Sequence, residues 1–268
     1  MTSRPASPVR TALTIAGSDS GAGAGIQADL KTFAALGVYG TSAVAAITAQ
    51  NTRGITALEP VSPTLVTAQI SAVVDDFQVA AIKTGMLGTR DVVAAVADRL
   101  IEIPEVPLVV DPVMVSTSGD RLLDEDAIEL LRDRLLPRAH LVTPNYREAE
   151  VLTGKRIESS TDVTRVARAL LDDGARAVVI TGGDQSGSAA VDLLVDHVGE
   201  RRLSVPRIES RSTHGTGCTF SAAVAGRLAL GDNLDAAVSA AKRFVTTVIA
   251  HATPLGHGHG PLVHLPAK

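Results

Sequence analysis

Hydrophobic positions along the chain alternate between two patterns. Short apolar runs, several without a polar interruption, occupy Ala12–Ala16, Ser42–Thr48, Ala80–Lys83, Leu108–Asp111, His140–Thr143, Ala177–Thr181 and Ala189–Val195. Continuous runs of this kind suit strands covered on both faces. Between them lie segments of helical period. Val66, Ile70, Val73 and Phe77 follow Ser62–Pro63, a cap residue with proline at the first helical position. Leu234, Val238, Ala241, Val245 and Val248 keep the same spacing after Gly231–Asp232, and Ile26, Leu30 and Phe33 do so over a shorter span closed by Gly37. Further helices are expected over Thr89–Ile101, Asp124–Leu135, Thr161–Asp173 and Cys218–Leu230. The alternation predicts an α/β fold, three layers α/β/α around a mostly parallel central sheet. No repeat or linker breaks the pattern, so the expectation is a flexible stretch over 1–10 and a single domain over 11–268.

Composition narrows the classes. With 268 residues, 45% hydrophobic, the chain can build a core without staples. Its one cysteine, Cys218, excludes an intramolecular disulfide and fits a reducing compartment. No apolar run approaches the ~18 to 20 residues of a membrane span, and residues 12–16 are too short for a signal-peptide core. A cytoplasmic protein without a membrane partner is expected. Aromatic residues make up 2% and the net charge is −4, which argues against nucleic acid as a partner. Negative charge still permits an anionic ligand, because amides at a helix N-terminus bind phosphate without side-chain cations.

In an open parallel sheet, ligands sit beyond the carboxyl ends of the strands, so the segments following the apolar runs carry the candidate chemistry. The first, Gly17-Ser18-Asp19-Ser20-Gly21-Ala22-Gly23-Ala24-Gly25-Ile26, is not a dinucleotide fingerprint, since Ile26 stands where the third glycine is required. Its small residues let backbone approach a flat ligand, with Asp19 as a polar contact; a plain tight turn is the competing reading. The second, Thr213-His214-Gly215-Thr216-Gly217-Cys218-Thr219, opens a helix. Gly215, Thr216 and Gly217 suit an anion nest at the positive end of the helix dipole, fit to stabilise a phosphoryl group in transfer. Cys218 at that helix start is expected to ionise more easily and to take a proton from an attacking hydroxyl.

Other strand ends add polar groups. Asp111 closes one apolar run. Asn145 and Glu148 follow another, spaced either to orient water on a phosphate-bound Mg²⁺ or to form a capping box. Gln50 offers an amide to the edge of a heteroaromatic ring, and Met86 a flexible apolar wall. Gly256-His257-Gly258-His259-Gly260 lacks a remote third ligand and is not read as a metal site.

Taken in order, Ala12–Asp19, Ala24–Phe33, Thr48–Thr52, Lys83–Leu87, Asp111–Met114 and Thr213–Thr219 resemble the hydroxymethylpyrimidine and phosphomethylpyrimidine kinases of thiamine biosynthesis, members of the ribokinase-like superfamily. The resemblance extends over about residues 11 to 264. It implies ATP-dependent phosphorylation of 4-amino-5-hydroxymethyl-2-methylpyrimidine and then of its monophosphate. By that similarity Gln50 contacts the ring edge, Met86 packs on the ring, Gly215 to Gly217 form the anion hole and Cys218 is the general base. Asn145 and Glu148 match an element associated with Mg²⁺ and phosphate, and Asp111 lies near the same charges. Glu148 and Asp111 are thus the expected metal-side carboxylates, with Thr181 also on the nucleotide side. A homodimer is implied as well.

The sequence departs from that pattern at three places. Ala22 replaces a glycine, and Thr117 and Thr181 stand where many relatives have lysine, which leaves Mg²⁺ and the helix dipole more of the phosphate charge. The nearest alternative is a pyridoxal or pyridoxine kinase, whose substrate is also a planar ring with a hydroxymethyl arm. Cys218, where the main branch of vitamin B6 kinases more often has aspartate, favours the pyrimidine.

Overall fold

The computed structural model describes residues 9–116, 119, 121–182 and 187–264. Residues 1–8 of the expected flexible stretch lie outside that set. The apolar runs become the middle of a nine-stranded sheet: β1 (Thr11–Asp19), β2 (Tyr39–Asn51), β3 (Gly54–Pro60), β4 (Val79–Thr84), β5 (Leu108–Val110), β6 (Leu141–Val142), β7 (Ala177–Ile180), β8 (Ala189–Asp196) and β9 (Glu200–Pro206). Their order is β3-β2-β1-β4-β5-β6-β7-β8-β9. Neighbours from β2 to β7 pair parallel, whereas β3, β8 and β9 are antiparallel additions at the two edges.

All seven expected strands are present, and the sheet is mostly parallel as predicted. The two unforeseen strands, β3 and β9, are edge strands. In β9 exposed and half-buried residues alternate, so there is no apolar run to announce it. The chain order reverses at β1, which has β2 on one side and β4 on the other; a crevice is expected at such a switch point.

Helices α1 (Gly25–Ala35), α7 (Thr216–Ala229) and α8 (Leu234–Ala250) cover one face of the sheet; α2 (Pro63–Val74), α3 (Arg90–Ile101), α4 (Glu125–Leu130), α5 (Tyr146–Thr153) and α6 (Ser160–Asp172) cover the other. Each face has its own apolar layer: Phe33, Val109, Val179, Phe220 and Val238 on the first, Ile15, Ile70, Val96, Leu100 and Leu170 on the second. Ser62 caps α2 by accepting from Leu65 N, with Pro63 at the first helical position, as its sequence predicts.

Two helical expectations need correcting. Helix α2 stops at Val74, so Phe77 lies beyond it and stacks on Tyr39 with ring centroids 5.9 Å apart. The segment 124–135 is not one α-helix: α4 gives way to a π turn over Leu131–Leu135 and a 3₁₀ turn over Leu136–Arg138. Pro137 has no N–H for the α ladder, which cannot continue through it. Among the described residues no helix is long and apolar enough to cross a membrane.

Phe33 is the largest fully buried side chain of the first layer. A Cβ on Gly40 would fall 3.0 Å from its ring, so that glycine makes room for it. Phe33→Ala is expected to cost about 3–5 kcal/mol, measured as a shift of the urea midpoint.

Candidate active site

The carboxyl ends of β1, β2, β4 and β5 meet the start of α7 at the switch point. Asp19, the last residue of β1, is 3% exposed. Its Oδ1 accepts from Gly21 N at 2.8 Å, and its Oδ2 accepts from Gly23 N at 3.0 Å, Ala24 N at 2.9 Å and His214 Nε2 at 3.0 Å. Burial alone would raise its pKa, but the bonds from His214, Ala24 and Gly21 hold it below the ordinary carboxylate value. The expected ligand contact is therefore a post on which both glycine loops hang, with its acceptor sites used within the protein. The loops also touch backbone to backbone. A Cβ on Gly215, whose φ is +84°, would collide with Gly23 O. Ala22 itself holds φ at +58°, its N–H bonded to Asp19 O at 2.9 Å and its carbonyl to Lys31 Nζ at 2.8 Å.

Gln50 sits near the tip of β2. Its main chain exchanges two bonds with Ser20 Oγ at 2.7 and 2.8 Å. Its amide is bracketed by Thr48 Oγ1, 3.1 Å from Oε1, and His214 Nε2, 3.4 Å from Nε2. Met86, beyond β4, packs so closely over β1 that any Cβ on Gly17 would strike its Cε. Gln50 and Met86 thus flank the crevice from the ends of β2 and β4, the strands on either side of β1.

At the head of α7, Gly215 takes the left-handed cap position. Thr216 does not offer its amide to a ligand: its N–H goes to Thr213 O at 3.2 Å and its hydroxyl to the same oxygen at 2.6 Å. The amides of Gly215, Gly217 and Cys218 have no acceptor among the described residues, and nothing lies within 4 Å of a Cβ built on Gly217. The nest is therefore made by three amides, with Thr216 closing the turn that aims them.

Beneath this nest is a charged cluster that the sequence reading missed. Lys83, at 0% exposure, places Nζ 2.8 and 3.0 Å from the two oxygens of Asp29 on α1 and 3.9 Å from Asp111 Oδ2. Thr14 donates to Asp29 Oδ2 at 2.6 Å. Ser221 donates to Asp111 Oδ2 at 2.9 Å and lies 3.1 Å from the carbonyls of Gly217 and Cys218. Burial works against the Lys83 ammonium, yet the Asp29 carboxylate, helped by Cys218 and Asp111, holds its pKa above the ordinary lysine value. A pattern signal existed: Lys83 ends the apolar run Ala80–Ile82, and Asp29 falls between Ile26 and Phe33 on the buried stripe of its helix.

The expected easy ionisation of Cys218 is overturned. Burial pushes its thiol up to about 12. The Lys83 ammonium draws it down, the carboxylates of Asp111 and Asp29 push it further up, and the Gly25 N–H at the start of α1 favours the thiolate. Helix position alone does not decide a thiol's acidity when two buried carboxylates stand behind it.

Asn145 and Glu148 form the capping box. Glu148 N donates to Asn145 Oδ1 and Asn145 N to Glu148 Oε2, both at 2.9 Å, at the start of α5. Thr181 follows β7, bonded through its N–H to Pro144 O at 2.9 Å, and Gly182 N donates to Asp192 Oδ1 at 3.0 Å, whose Oδ2 pairs with Lys242 Nζ at 2.7 Å. Thr117 lies outside the described residues. Among the described residues no three His, Cys, Asp or Glu side chains gather as a metal centre. Glu148 and Asp111 supply carboxylate oxygens, the donor type Mg²⁺ prefers, without forming a cage for it.

A mostly parallel sheet with helices on both faces and an amide nest at the switch point define a kinase of the ribokinase-like fold. The chain belongs to the phosphomethylpyrimidine kinase family, whose model matches residues 19–263. It is 53% identical to a hydroxymethylpyrimidine/phosphomethylpyrimidine kinase of Rhizobium meliloti over 94% of this chain and 96% of that protein. It is 48% identical to a bifunctional thiamine biosynthesis protein of Geobacter sulfurreducens over 96% of this chain, and spans 53% of that longer protein. The crystal structure of an ADP complex of Bacillus subtilis pyridoxal kinase superposes with a TM-score of 0.89 at 39% identity, over 96% of this chain and 98% of that one.

Two measurements check this site. Alkylation by iodoacetamide reports Cys218 alone, as it is the only cysteine; its rate should climb without inflection past pH 9, the ordinary thiol value, towards about 12. A plateau below pH 9 would contradict the burial argument. Asp29→Ala strands the Lys83 ammonium and should cost about 3–5 kcal/mol in a urea titration.

Proposed function

We propose that the chain transfers the γ-phosphoryl group of ATP to the hydroxymethyl arm of 4-amino-5-hydroxymethyl-2-methylpyrimidine, and then phosphorylates the monophosphate, in thiamine biosynthesis. The observation that carries this reading is the meeting of an amide able to read a ring edge, Gln50, with three unsatisfied amides around Cys218. Membership of the phosphomethylpyrimidine kinase family supports it.

In this mechanism Gln50 and Met86 hold the pyrimidine, and the arm points at the start of α7. The amides of Gly215, Gly217 and Cys218 receive the γ-phosphoryl oxygens, where the helix dipole favours negative charge. The hydroxymethyl oxygen bonds to phosphorus, the bond to the β-phosphate oxygen breaks, ADP leaves, and the hydroxyl proton passes to Cys218 Sγ. Cys218 must first give its own proton to solvent, and Lys83 and the Gly25 amide are the groups that favour the thiolate. Mg²⁺, when bound, would shield the phosphate charge, and Glu148, Asp111, Asn145 and Thr181 are the residues that would hold the ion and its nucleotide. The same reading carries a single catalytic domain over 11–268 that works as a cytoplasmic homodimer, which sedimentation of the purified protein checks.

The second reading is a pyridoxal kinase, favoured by the fold match to the Bacillus subtilis enzyme. Comparing kcat/KM for the two alcohols separates them: the pyrimidine alcohol is expected to lead, and a strong preference for pyridoxal reverses the assignment. Cys218→Ala should lower kcat by about 10² to 10⁴ with little change in KM. Wild-type kcat should rise with pH through the thiol titration, while the variant stays flat. Gln50→Ala should raise KM for the alcohol by about tenfold, the worth of one or two neutral hydrogen bonds, and leave the KM for ATP unmoved.

A further inference from the structure

The glycine-histidine run near the end of the chain has no part in the reaction above, yet its glycines lie against the active-site loops. A Cβ on Gly256, whose φ is +73°, would strike the Thr52 side chain; one on Gly258 would strike Thr52 O; one on Gly260 would fall 2.6 Å from Ser212 Oγ. His257 and His259 point to solvent-exposed positions and contribute main chain. Thr52 Oγ1 accepts from His257 N and Gly258 N, both at 3.1 Å, and Thr52 O accepts from His259 N at 2.8 Å. Three consecutive amides of the segment are thus bound by one residue. Further along, Gly260 N donates to Arg211 O at 3.0 Å, and Gly260 O accepts from His214 N at 3.1 Å. Pro261 packs 2.9 Å from a Cβ built on Gly23, and Thr219 Oγ1 meets His264 Nε2 at 2.8 Å.

The segment 256–264 therefore starts on Thr52, two residues past Gln50, and ends on Thr219, one residue past Cys218. We propose that Thr52 is a positioning residue: it clasps this segment so that the 213–217 amides stand at a fixed place relative to the Gln50 tip. The inference rests on the function proposed above. Small misplacement of a phosphoryl cradle relative to the attacking hydroxyl is enough to slow transfer strongly, because the reacting atoms must be held in near-attack geometry. Alternating glycines are what the clasp requires, since side chains at 256, 258 and 260 would push the segment off Thr52 and Ser212.

The test compares Thr52→Val, which keeps the shape and the main-chain bond to His259 but removes the hydroxyl acceptor of His257 and Gly258, with Thr52→Ser, which keeps that hydroxyl. Two readouts are followed in the full-length protein: amide hydrogen exchange at the bonded amides of His214 and Thr216 and of 257–260, and kinetics with the pyrimidine alcohol and ATP. The expected result for Thr52→Val is faster exchange in both segments and a fall in kcat of about tenfold or more, with KM for ATP little changed and the melting temperature near wild type. Thr52→Ser should restore both readouts. Wild-type exchange at His214 and Thr216 in Thr52→Val overturns the clasp, as does failure of Thr52→Ser to restore it. A wild type that exchanges as expected but does not phosphorylate the pyrimidine alcohol refutes the proposed function and leaves the exchange comparison to judge the clasp.

Discussion

The site stands on the buried pair of Lys83 and Asp29. Taking two charges out of water costs several kcal/mol per ion, and only close geometry with further hydrogen bonds recovers it. Here both oxygens of Asp29 face the ammonium, Thr14 supplies a third bond, and both side chains are fully buried. That requirement fixes α1 against β1 and β4 more tightly than apolar packing would, because a slip of either element leaves a naked charge. The ammonium then sits 3.9 Å from Asp111, Asp111 is bonded to Ser221, and Ser221 lies under the carbonyls of the first turn of α7. The place of the amide nest follows from that chain of contacts.

The same cluster explains how a chain of net charge −4 can suit a polyanion. The positive field at the head of α7 comes from within: helix starts at α1 and α7 and one ammonium below them. Cys218 is placed between these influences and the two carboxylates. Its proton is therefore held by burial and by the two carboxylates, against the pull of the Lys83 ammonium and the Gly25 amide.

Much of this was legible in the sequence, for reasons that can be named. Parallel strands buried on both faces, such as Ala177–Ile180, announce themselves as unbroken apolar runs, and Ser62–Pro63 marks a helix start by its own chemistry. Edge strands β3 and β9 do not, because half-exposed strands need no such run. The positions of Gln50, Met86 and Asp111 just at or past the carboxyl ends of β2, β4 and β5 follow from the switch-point rule. What local reading misses is long-range partnership. Asp19 is joined to His214 across 195 residues, and Ser221 to Asp111 across 110. No spacing rule foretells that these acceptors are already occupied, or that a thiol at a helix start will have two carboxylates for neighbours.

Ala22 bears on a separate matter. A side chain held in the left-handed region costs roughly 1–2 kcal/mol, so the loop around Asp19 keeps its shape against the preference of one of its own residues. A segment that withstands such a bias has little conformational freedom left to surrender when a ligand arrives. The ordering entropy has been met during folding, so less of any ligand's binding energy is spent on fixing the loop. On this view the alanine is a built-in gauge of stiffness: it would be tolerated only where the surrounding hydrogen bonds leave a single conformation for the loop.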